Sequence, residues 1–370
     1  MDPMTDAAQE RLPISVLTGF LGSGKTTLLK HLLAHPGMGE TAVIINEFGE
    51  IGLDHLLVRS ASEDMVVLNS GCLCCTVRGD LVNALRDLYL KRARGEVPAF
   101  KRVVVETTGL ADPAPVLHTL MNDPLVAARF RLDGVIATVD AVNGAMQLDQ
   151  HMESVKQAAV ADRLLLTKQD IAAPAEVATL HERLKRLNPG APVFAVAQGR
   201  IEPDRLFDAG LYDPEKKTSD VRKWLRAEAY EQHGAAAHDH GHGHDHDDHD
   251  HAKPDVNRHD ARIRAFCLNH DQPIVWESLA GWVDALLAAH GEDVLRLKGI
   301  IDVAGEANPV VIHGVQHLFH PPAMLEAWPG DDRRTRIVLI ARDMNPADVD
   351  KMFRNIACAA APTEAPAEKL

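Results

Sequence analysis

The stretch "GFLGSGKT" (residues 19–26) decides the fold, because it fits the pattern G-x-x-x-x-G-K-[ST] in the context that this pattern requires. An apolar run, "ISVLTG" (14–19), precedes it and predicts a buried strand, and "TLLKHLLAH" (27–35) follows it with helical apolar spacing. Glycines at such a turn let the backbone wrap around phosphate groups, with the N-terminus of the helix directed at the same anion. The sequence therefore predicts a nucleoside triphosphate site.

Backbone and side chains of this loop have different predicted roles. Successive N–H groups are expected to point at the phosphates, and the predicted binding residues are Gly22, Ser23, Gly24, Lys25, Thr26 and Thr27. The ammonium group of Lys25 is expected to reach the β and γ phosphates, and the hydroxyl of Thr26 to take one position on Mg²⁺. Both residues are therefore predicted to be catalytic as well as binding residues.

A second buried strand ends in an acidic residue, in "VVVETTG" (103–109). Glu106 is predicted to hold Mg²⁺, and Gly109 to let its backbone N–H approach the γ phosphate. Glutamate departs from the commoner aspartate, which leaves direct and water-mediated contact with the metal both open. The alternative is an ordinary strand end that carries a surface acid.

The nucleotide base is predicted from "LLLTKQD" (164–170). A carboxylate just past a buried strand can accept two hydrogen bonds from guanine N1 and N2, and adenine offers no matching pair of donors. Asp170 is therefore predicted to select GTP, with the stem of Lys168 over the ring. Thr167 stands where asparagine is more usual, so its contact with the base is open. The alternative is a helix start capped by Asp170.

The rest of the first 200 residues repeats short apolar runs separated by helix-like stretches. Runs of this kind are typical of parallel strands that helices bury on both faces, which predicts an α/β fold with a mainly parallel sheet. The six runs are "ISVLTG" (14–19), "TAVIIN" (41–46), "RVVVET" (102–107), "GVIATVD" (134–140), "RLLLTK" (163–168) and "PVFAVA" (192–197).

The pattern changes near residue 206. The following segment contains "HDHGHGHDHDDHDH" (238–251), with seven histidines and five aspartates, which predicts a solvated, disordered linker. Beyond it, four strand-like runs and two helix-like stretches predict a small α+β domain with an antiparallel sheet. The predicted divisions are a tail at 1–12, a nucleotide-binding domain at 13–205, the linker at 206–260, the α+β domain at 261–357 and a tail at 358–370.

Composition limits the functional classes. The formal net charge of −14 disfavours a nucleic-acid partner, and no apolar run is long enough to span a bilayer. The polar opening "MDPMTDAAQERLP" lacks the features of an export leader, so we expect the protein to remain in the cytoplasm. In that reducing compartment clustered cysteines bind metal or do redox chemistry more often than they form structural disulfides. A homodimer is left open beside a monomer.

Three of the five cysteines lie in "GCLCC" (71–75). In an extended segment Cys72 and Cys74 share a face and can converge on one ion, whereas Cys75 faces away unless the chain turns. Thiolates favour Zn²⁺, Co²⁺ or Cu⁺ over Mg²⁺, and two or three of them leave a coordination position open. Glu50 or His118 is the candidate to fill it. The alternative is a set of small buried apolar side chains.

Taken together, these motifs resemble the CobW-type GTPases, a P-loop group related to the nickel-delivery GTPases of urease and hydrogenase maturation. The matching stretches are "LTGFLGSGKTTLL" (17–29), "INEFGEIGLD" (45–54), "GCLCCTVRGDL" (71–81), "ETTGLADP" (106–113), "TKQD" (167–170) and "HLFHPP" (317–322). The resemblance implies a GTP-hydrolysing metallochaperone that hands its metal to a client metalloprotein. It does not imply which metal is bound or which protein is the client. Zinc and cobalt are the metals that we expect.

The order of the motifs suggests a switch. The cysteine segment lies between "NEFGE" and Glu106, so GTP is expected to order these loops and favour metal loading, and hydrolysis to favour release. Glu47 is a candidate to orient the attacking water. The His/Asp run is either a weak metal reservoir or only a solvating linker. Two rival functions remain at this point: a thiol-based redox protein regulated by nucleotide, and a passive metal store.

Overall fold

The computed structural model describes residues 11–45, 66–69, 77–207 and 262–358, with only the backbone path for 66–69 and 77–80. The first of the two sheets lies in the amino-terminal part of the chain, and the second follows residue 262. The predicted linker, from residue 208 onward, and most of both predicted tails lie outside the described residues. No helix within the described ranges is long and apolar enough to cross a membrane.

Seven parallel strands form the first sheet, in the order β3-β2-β4-β1-β5-β6-β7. The strands are β1 (Leu12–Gly19), β2 (Thr41–Ile45), β3 (Val66–Asn69), β4 (Arg102–Glu106), β5 (Phe130–Asp140), β6 (Arg163–Thr167) and β7 (Val193–Val196). All six predicted runs are strands of this sheet. The seventh, β3, comes from "VVLN", which the sequence analysis did not single out. The predicted α/β class with a parallel sheet is confirmed.

Helices follow β1, β3, β4, β5 and β6 and bury both faces of the sheet, which is why strands such as β2 are apolar at nearly every position. The helices are α1 (Lys25–Leu33), α2 (Val77–Ala93), α3 (Ala114–Asn122), α4 (Pro124–Ala127), α5 (Gly144–Gln150), α6 (Met152–Val160) and α7 (Pro174–Leu187). Because all seven strands run the same way, their carboxyl ends meet at one edge of the sheet. Gly19, Glu106, Asp140 and Thr167 end four neighbouring strands there.

The carboxyl-terminal part forms an antiparallel sheet, as the sequence predicts. Five of its strands follow the order β11-β10-β9-β13-β8, and β12 pairs with β10. Its elements are β8 (Ile263–His270), α8 (Trp276–His290), β9 (Val294–Ile301), β10 (Val310–Val315), β11 (Leu318–Phe319), β12 (Ala323–Met324), β13 (Thr335–Arg342) and α9 (Pro346–Ile356). Trp282 of α8 and Phe353 of α9 are fully buried against one another, with ring centroids 5.0 Å apart, and cover one face of this sheet.

The other face of the antiparallel sheet packs on the first part of the chain. Ile300 belongs to the same buried apolar cluster as Leu117 of α3, and Leu295 to the same cluster as Leu184 of α7. Each of these clusters draws its members from both sheets. The two parts therefore share cores rather than touching at a polar surface.

A buried ion cluster lies within this contact. Asp162, just before β6, accepts hydrogen bonds from Arg296 and, at 2.8 Å, from Lys298, two residues that project from the same face of β9. Its second oxygen accepts the backbone N–H of Val135 at 2.9 Å. Burial alone would raise the pKa of Asp162, but the charges of Arg296 and Lys298 outweigh it and hold that pKa below its ordinary value.

Candidate functional site

A cleft of about 290 Å³ opens at the carboxyl edge of the parallel sheet. The described residues that line it are Leu21, Gly22, Gly24, Lys25, Thr26, Thr27, Glu106, Thr107, Thr108, Gly109 and Lys168. Thus the loop after β1, the loop after β4 and the loop after β6 meet at one space, as expected for the crevice beyond the carboxyl ends of parallel strands. Three separate sequence motifs are brought together here.

The loop between β1 and α1 has the backbone shape that its glycines allow. Gly24, directly before α1, has a φ of 96°, in the left-handed region that a residue with a Cβ seldom occupies. Inside the loop, Lys25 is buried, and its Nζ donates to the carbonyl oxygens of Gly19 at 2.7 Å and Phe20 at 3.2 Å. The lysine charge is therefore held at the base of the loop, where it lines the cleft.

Ser23 and Thr167 lie behind the loop instead of facing the cleft. The backbone N–H of Ser23 donates to the carbonyl of Phe20 at 3.1 Å, and its hydroxyl pairs with that of Thr138 at 2.7 Å. The Thr167 hydroxyl donates to the carbonyls of Ser23, at 2.7 Å, and Val139, at 3.2 Å. Ser23, predicted as a phosphate contact, and Thr167, weighed as a contact to the base, are placed in this structure to support the loop from below.

Glu106 ends β4 between β1 and β2 and is 6% exposed at the cleft wall. It lines the same space as the half-buried Thr26. A carboxylate and a hydroxyl are hard oxygen donors of the kind that Mg²⁺ accepts beside phosphate oxygens and water. These two residues therefore fit the predicted magnesium position.

Gly109 lies directly against the phosphate loop. A Cβ built on it would lie 2.7 Å from the backbone nitrogen of Leu21 and 2.8 Å from the Leu21 Cα. Only a residue without a Cβ permits this approach of two backbones. The loop after β4 is thus in contact with the loop that is predicted to hold the phosphates.

On the other side of the cleft, Lys168 adopts a left-handed conformation, with φ of 56°, and its Nζ lies 2.7 Å from Asp140 Oδ2. Asp140 also accepts hydrogen bonds from the side chain of Asn143 and from the backbone N–H groups of Val142 and Asn143. Burial acts to raise the pKa of Asp140, but these hydrogen bonds, that of Lys168 foremost, lower it below the ordinary value. The carboxylate stays charged and orients Lys168.

Asp170, predicted to select guanine, is exposed on the turn after β6 and does not line the described cleft. It follows Lys168, which does, by two positions. The loop at Gly199, the end of "FAVAQG", packs on the backbone of Thr27 and so also lies at this end of the site. An exposed carboxylate two residues after Lys168 is compatible with contact to a base that extends outward from the cleft.

Most residues of the predicted metal site are not among the residues that the structure describes. Cys72, Cys74, Cys75 and Glu50 lie outside the described residues, as does Glu47, the candidate to orient the attacking water. Within the described ranges, no group of three or more histidine, cysteine, aspartate or glutamate side chains is arranged to hold a metal ion.

His118, the other candidate ligand, is half-buried on α3. Its ring centroid lies 6.5 Å from that of His317, which follows β10 in the carboxyl-terminal part. The structure thus places His118 at the contact between the two sheets.

Several residues of this site were not predicted from the sequence. Thr107 and Thr108 line the cleft, and Asp140 fixes Lys168. The signal for Asp140 was available, because "GVIATVD" ends in an acid at the carboxyl end of a buried strand, as "VVVE" does. Gln157 on α6, which donates to the carbonyl of Gly109 at 3.1 Å, had no such signal in the sequence.

Two protein families match parts of this chain. Residues 13–195 match the family described as the CobW/HypB/UreG nucleotide-binding domain, and residues 263–357 match the cobalamin synthesis protein CobW C-terminal domain. The zinc chaperone YjiA of Escherichia coli is 34% identical over 308 residues, which is 83% of this chain and 87% of that protein. The zinc-regulated GTPase metalloprotein activator 1 of Saccharomyces cerevisiae is 27% identical over 94% of this chain and 83% of its own length.

A solved structure also aligns with nearly the whole chain. The crystal structure of Zn(II)-bound YjiA GTPase from E. coli superposes with a TM-score of 0.67 at 28% identity, covering 94% of this chain and 99% of that one. Matches to the family therefore span both sheets and the cleft between the loops of the first one. The chain belongs to the CobW/HypB/UreG family of GTPases, with the CobW-type C-terminal domain.

Proposed function

We propose that this protein hydrolyses GTP and uses that cycle to load a transition metal, zinc before cobalt, and to deliver it to a client metalloprotein. The observation that carries the proposal is the cleft in which Lys25, Thr26, Glu106 and Gly109 converge. Family membership and relatives named as zinc chaperones support the metal part.

Five residues that line the cleft have definite tasks in this proposal. The Lys25 ammonium neutralises charge on the β and γ phosphates, and the backbone of the Gly24 turn donates to their oxygens. Thr26 and Glu106 hold Mg²⁺, directly or through water, and Mg²⁺ supplies charge neutralisation at the transferred phosphoryl group. The N–H of Gly109 approaches the γ phosphate. Glu47, which lies outside the described residues, is retained as the residue that orients the attacking water.

Recognition of the base rests on the loop after β6. Asp170 accepts the guanine N1 and N2 hydrogens, and the methylene stem of Lys168 covers the ring while its ammonium group stays on Asp140. The Asp140 contact therefore holds Lys168 ready before the nucleotide arrives. This arrangement favours guanine over adenine.

The metal is cargo in this scheme. Cys72 and Cys74, with Cys75 and Glu50 as further candidates, bind it through soft sulfur donors and leave a position for a ligand of the client. Their segment lies in sequence between "NEFGE" and Glu106, so one nucleotide-dependent rearrangement can change both sites. By linkage, GTP must tighten metal binding by the same factor as metal tightens GTP binding.

The first test concerns hydrolysis. Lys25→Ala should reduce GTP turnover on the order of a thousandfold, because it removes the buried ammonium group that neutralises charge on the transferred phosphoryl group. Lys30→Ala, an exposed lysine on the same helix, is the matched control and should retain wild-type turnover. GTP turnover that survives loss of Lys25 would contradict the proposal.

The second test concerns the metal. Zinc affinity is measured for wild type and for Cys72→Ser/Cys74→Ser, each loaded with GDP or with a non-hydrolysable GTP analogue. Wild type should bind zinc more tightly in the GTP form, and the double variant should lose both the affinity and the difference. Cys358→Ser, which alters a half-buried cysteine of the carboxyl-terminal part, is the control. Equal zinc affinity in the two nucleotide forms would remove the coupling.

A further inference from the structure

One buried side chain holds the loop that contacts the γ-phosphate position. Gln157, on α6, is 1% exposed, and its Nε2 donates to the carbonyl oxygens of Gly109, at 3.1 Å, and Ala111, at 3.0 Å. Both hydrogens of the amide are thus used on two carbonyls of the same short segment. The preceding residue, Lys156, donates to Asp112 Oδ2 at 2.6 Å and anchors the next part of that segment.

The orientation of this amide is determined by its partners. Two carbonyl oxygens can only be met by the donor side of the amide, so the reverse orientation would place three acceptors together. The Gln157 Oε1 is buried and has no hydrogen-bond partner among the described residues. A buried amide with one unmet oxygen is costly, and an apolar side chain of the same size would avoid that cost. The two bonds to the loop are what this glutamine adds.

These bonds fix the part of the loop that matters for the nucleotide. The carbonyl of Gly109 is held from α6, while its Cα lies against the backbone of Leu21 in the phosphate loop. The bond from Gln157 restricts rotation of the peptide group after Gly109. The Ala111 N–H, which donates to the Thr108 carbonyl at 3.1 Å, restricts the peptide group that carries the Gly109 N–H. A shift of about 1 Å at such a position can reduce a rate on the order of a hundredfold.

We propose that Gln157 is a positioning residue for GTP hydrolysis, which sets the backbone of Gly109 for its contact with the γ phosphate. This inference rests on the proposed function. GDP has no γ phosphate, so the role of Gln157 belongs to the triphosphate state and not to GDP binding. Loss of Gln157 should weaken the discrimination between GTP and GDP and slow turnover.

A purely structural role is the alternative, and the chain offers a matched control for it. Asn188, 3% exposed, is another buried amide whose Nδ2 donates to the carbonyls of Ala158, Ala159 and Ala161, at 2.8 to 3.0 Å. It holds the carboxyl end of the same helix α6, close to the start of β6 and thus at the opposite edge of the sheet from the cleft. Its loss should cost stability without affecting the γ-phosphate loop.

The experiment compares wild type, Gln157→Met and Asn188→Leu as full-length proteins. Affinities for fluorescent GDP and for a fluorescent non-hydrolysable GTP analogue are measured with Mg²⁺ present, together with kcat and Tm. Gln157→Met should lower the GTP-analogue affinity and kcat by about tenfold each and change the GDP affinity by less than about twofold. Asn188→Leu should lower Tm and leave the GTP-to-GDP affinity ratio unchanged.

The affinity ratio distinguishes a positioning role of Gln157 from a purely structural one. A GTP-to-GDP affinity ratio in Gln157→Met equal to that of wild type would overturn the inference, as would an equal loss of the ratio in Asn188→Leu. If Gln157→Met does not fold, Lys156→Met removes the neighbouring anchor and should reduce the ratio by a smaller factor; an unchanged ratio there would overturn the inference. The ratio is read without turnover, so a wild type that bound both nucleotides but failed to hydrolyse GTP would overturn the proposed function, and the ratio would still test whether Gln157 sets the Gly109 contact with the γ phosphate.

Discussion

Two buried aspartates, Asp140 and Asp162, have the same kind of chemistry at opposite edges of the parallel sheet. Both side chains are about 1% exposed, both pair with lysine, and in both the pKa lies below the ordinary value because cations and hydrogen bonds outweigh burial. They differ in the number and the exposure of their partners. The Lys168 that pairs with Asp140 is 35% exposed at the cleft, whereas Arg296 and Lys298 are almost wholly enclosed with Asp162.

This difference separates an ion pair of the site from one of the fold. If Asp140 is lost, water can still solvate the Lys168 ammonium group, so the damage should fall on the orientation of the site. If Asp162 is lost, two cations are left enclosed without their counter-charge, and the damage should fall on stability. A buried pair is worth little compared with a well-packed apolar group, but breaking one is expensive.

The largest expected effect is on the enclosed cluster. Asp162→Asn should lower the free energy of unfolding by about 3 to 5 kcal/mol, because it leaves Arg296 and Lys298 buried against a neutral amide. Urea denaturation followed by circular dichroism measures it. Asp343→Asn, which opens the exposed pair with Arg262, is the control and should change stability little. A comparably small loss in Asp162→Asn would remove the distinction between the two aspartates.

The matching change at the cleft should act on binding instead. Asp140→Asn should weaken guanine-nucleotide binding by about tenfold, or about 1.4 kcal/mol, since Lys168 loses the carboxylate that orients it. Titration with fluorescent GDP gives the affinity, and urea denaturation gives the accompanying loss of stability. That loss should be smaller than the loss in Asp162→Asn. If the two variants lost equal stability with unchanged nucleotide affinity, the comparison would fail.

A pH series sharpens the difference further. Burial, aided by the charge of Arg296, lowers the pKa of Lys298 to about 8, against about 10.4 in an unfolded chain. Between these values the unfolded chain holds one more proton than the folded one, so stability rises with pH in that window. Relative to Lys298→Met, wild type should gain about 1.4 kcal/mol per pH unit, measured by urea denaturation at several pH values. Parallel profiles for the two proteins would contradict this.

The smallest effect is expected where the two sheets share a polar contact near the cleft. Gln316 Nε2 donates to Asp112 Oδ2 at 3.3 Å, on the carboxylate that Lys156 also binds. Gln316→Ala should cost about 0.5 to 1 kcal/mol in the free energy of unfolding. Thermal unfolding measures it, and a loss above about 2 kcal/mol would mean that this contact contributes more than a single long hydrogen bond.

The sequence predicted the elements of the fold better than it predicted their mutual contacts. Local patterns were enough for the phosphate loop at 19–26, for the six apolar strands and for the antiparallel carboxyl-terminal sheet. "VVLN" at 66–69 is too short and too plain a run to be recognised as a strand without its neighbour β2. The sequence shows which motif follows which strand. Parallel pairing of the strands then brings the motifs together at the carboxyl edge of the sheet.

What could not be predicted depends on residues far apart in the sequence. Asp162 and Arg296 are separated by 134 positions, and Thr167 supports Ser23 across 144 positions. From the motif at 167–170 alone, Thr167 was expected to contact the nucleotide base. A motif viewed alone does not show that the phosphate loop packs on this residue. Gln157 lies in a helix of ordinary composition, and only the fold brings it to Gly109.

The apolar clusters shared by the two sheets should hold the two parts of the chain together even when the chain is cut between them. A cut between residues 207 and 262 breaks one peptide bond but leaves Ile300 and Leu117 in one buried apolar cluster, and Leu295 and Leu184 in another. The two fragments should therefore elute together from gel filtration as a single particle. Either fragment made by itself would expose to water the apolar surface that the other fragment covers, and it should precipitate or recruit chaperones.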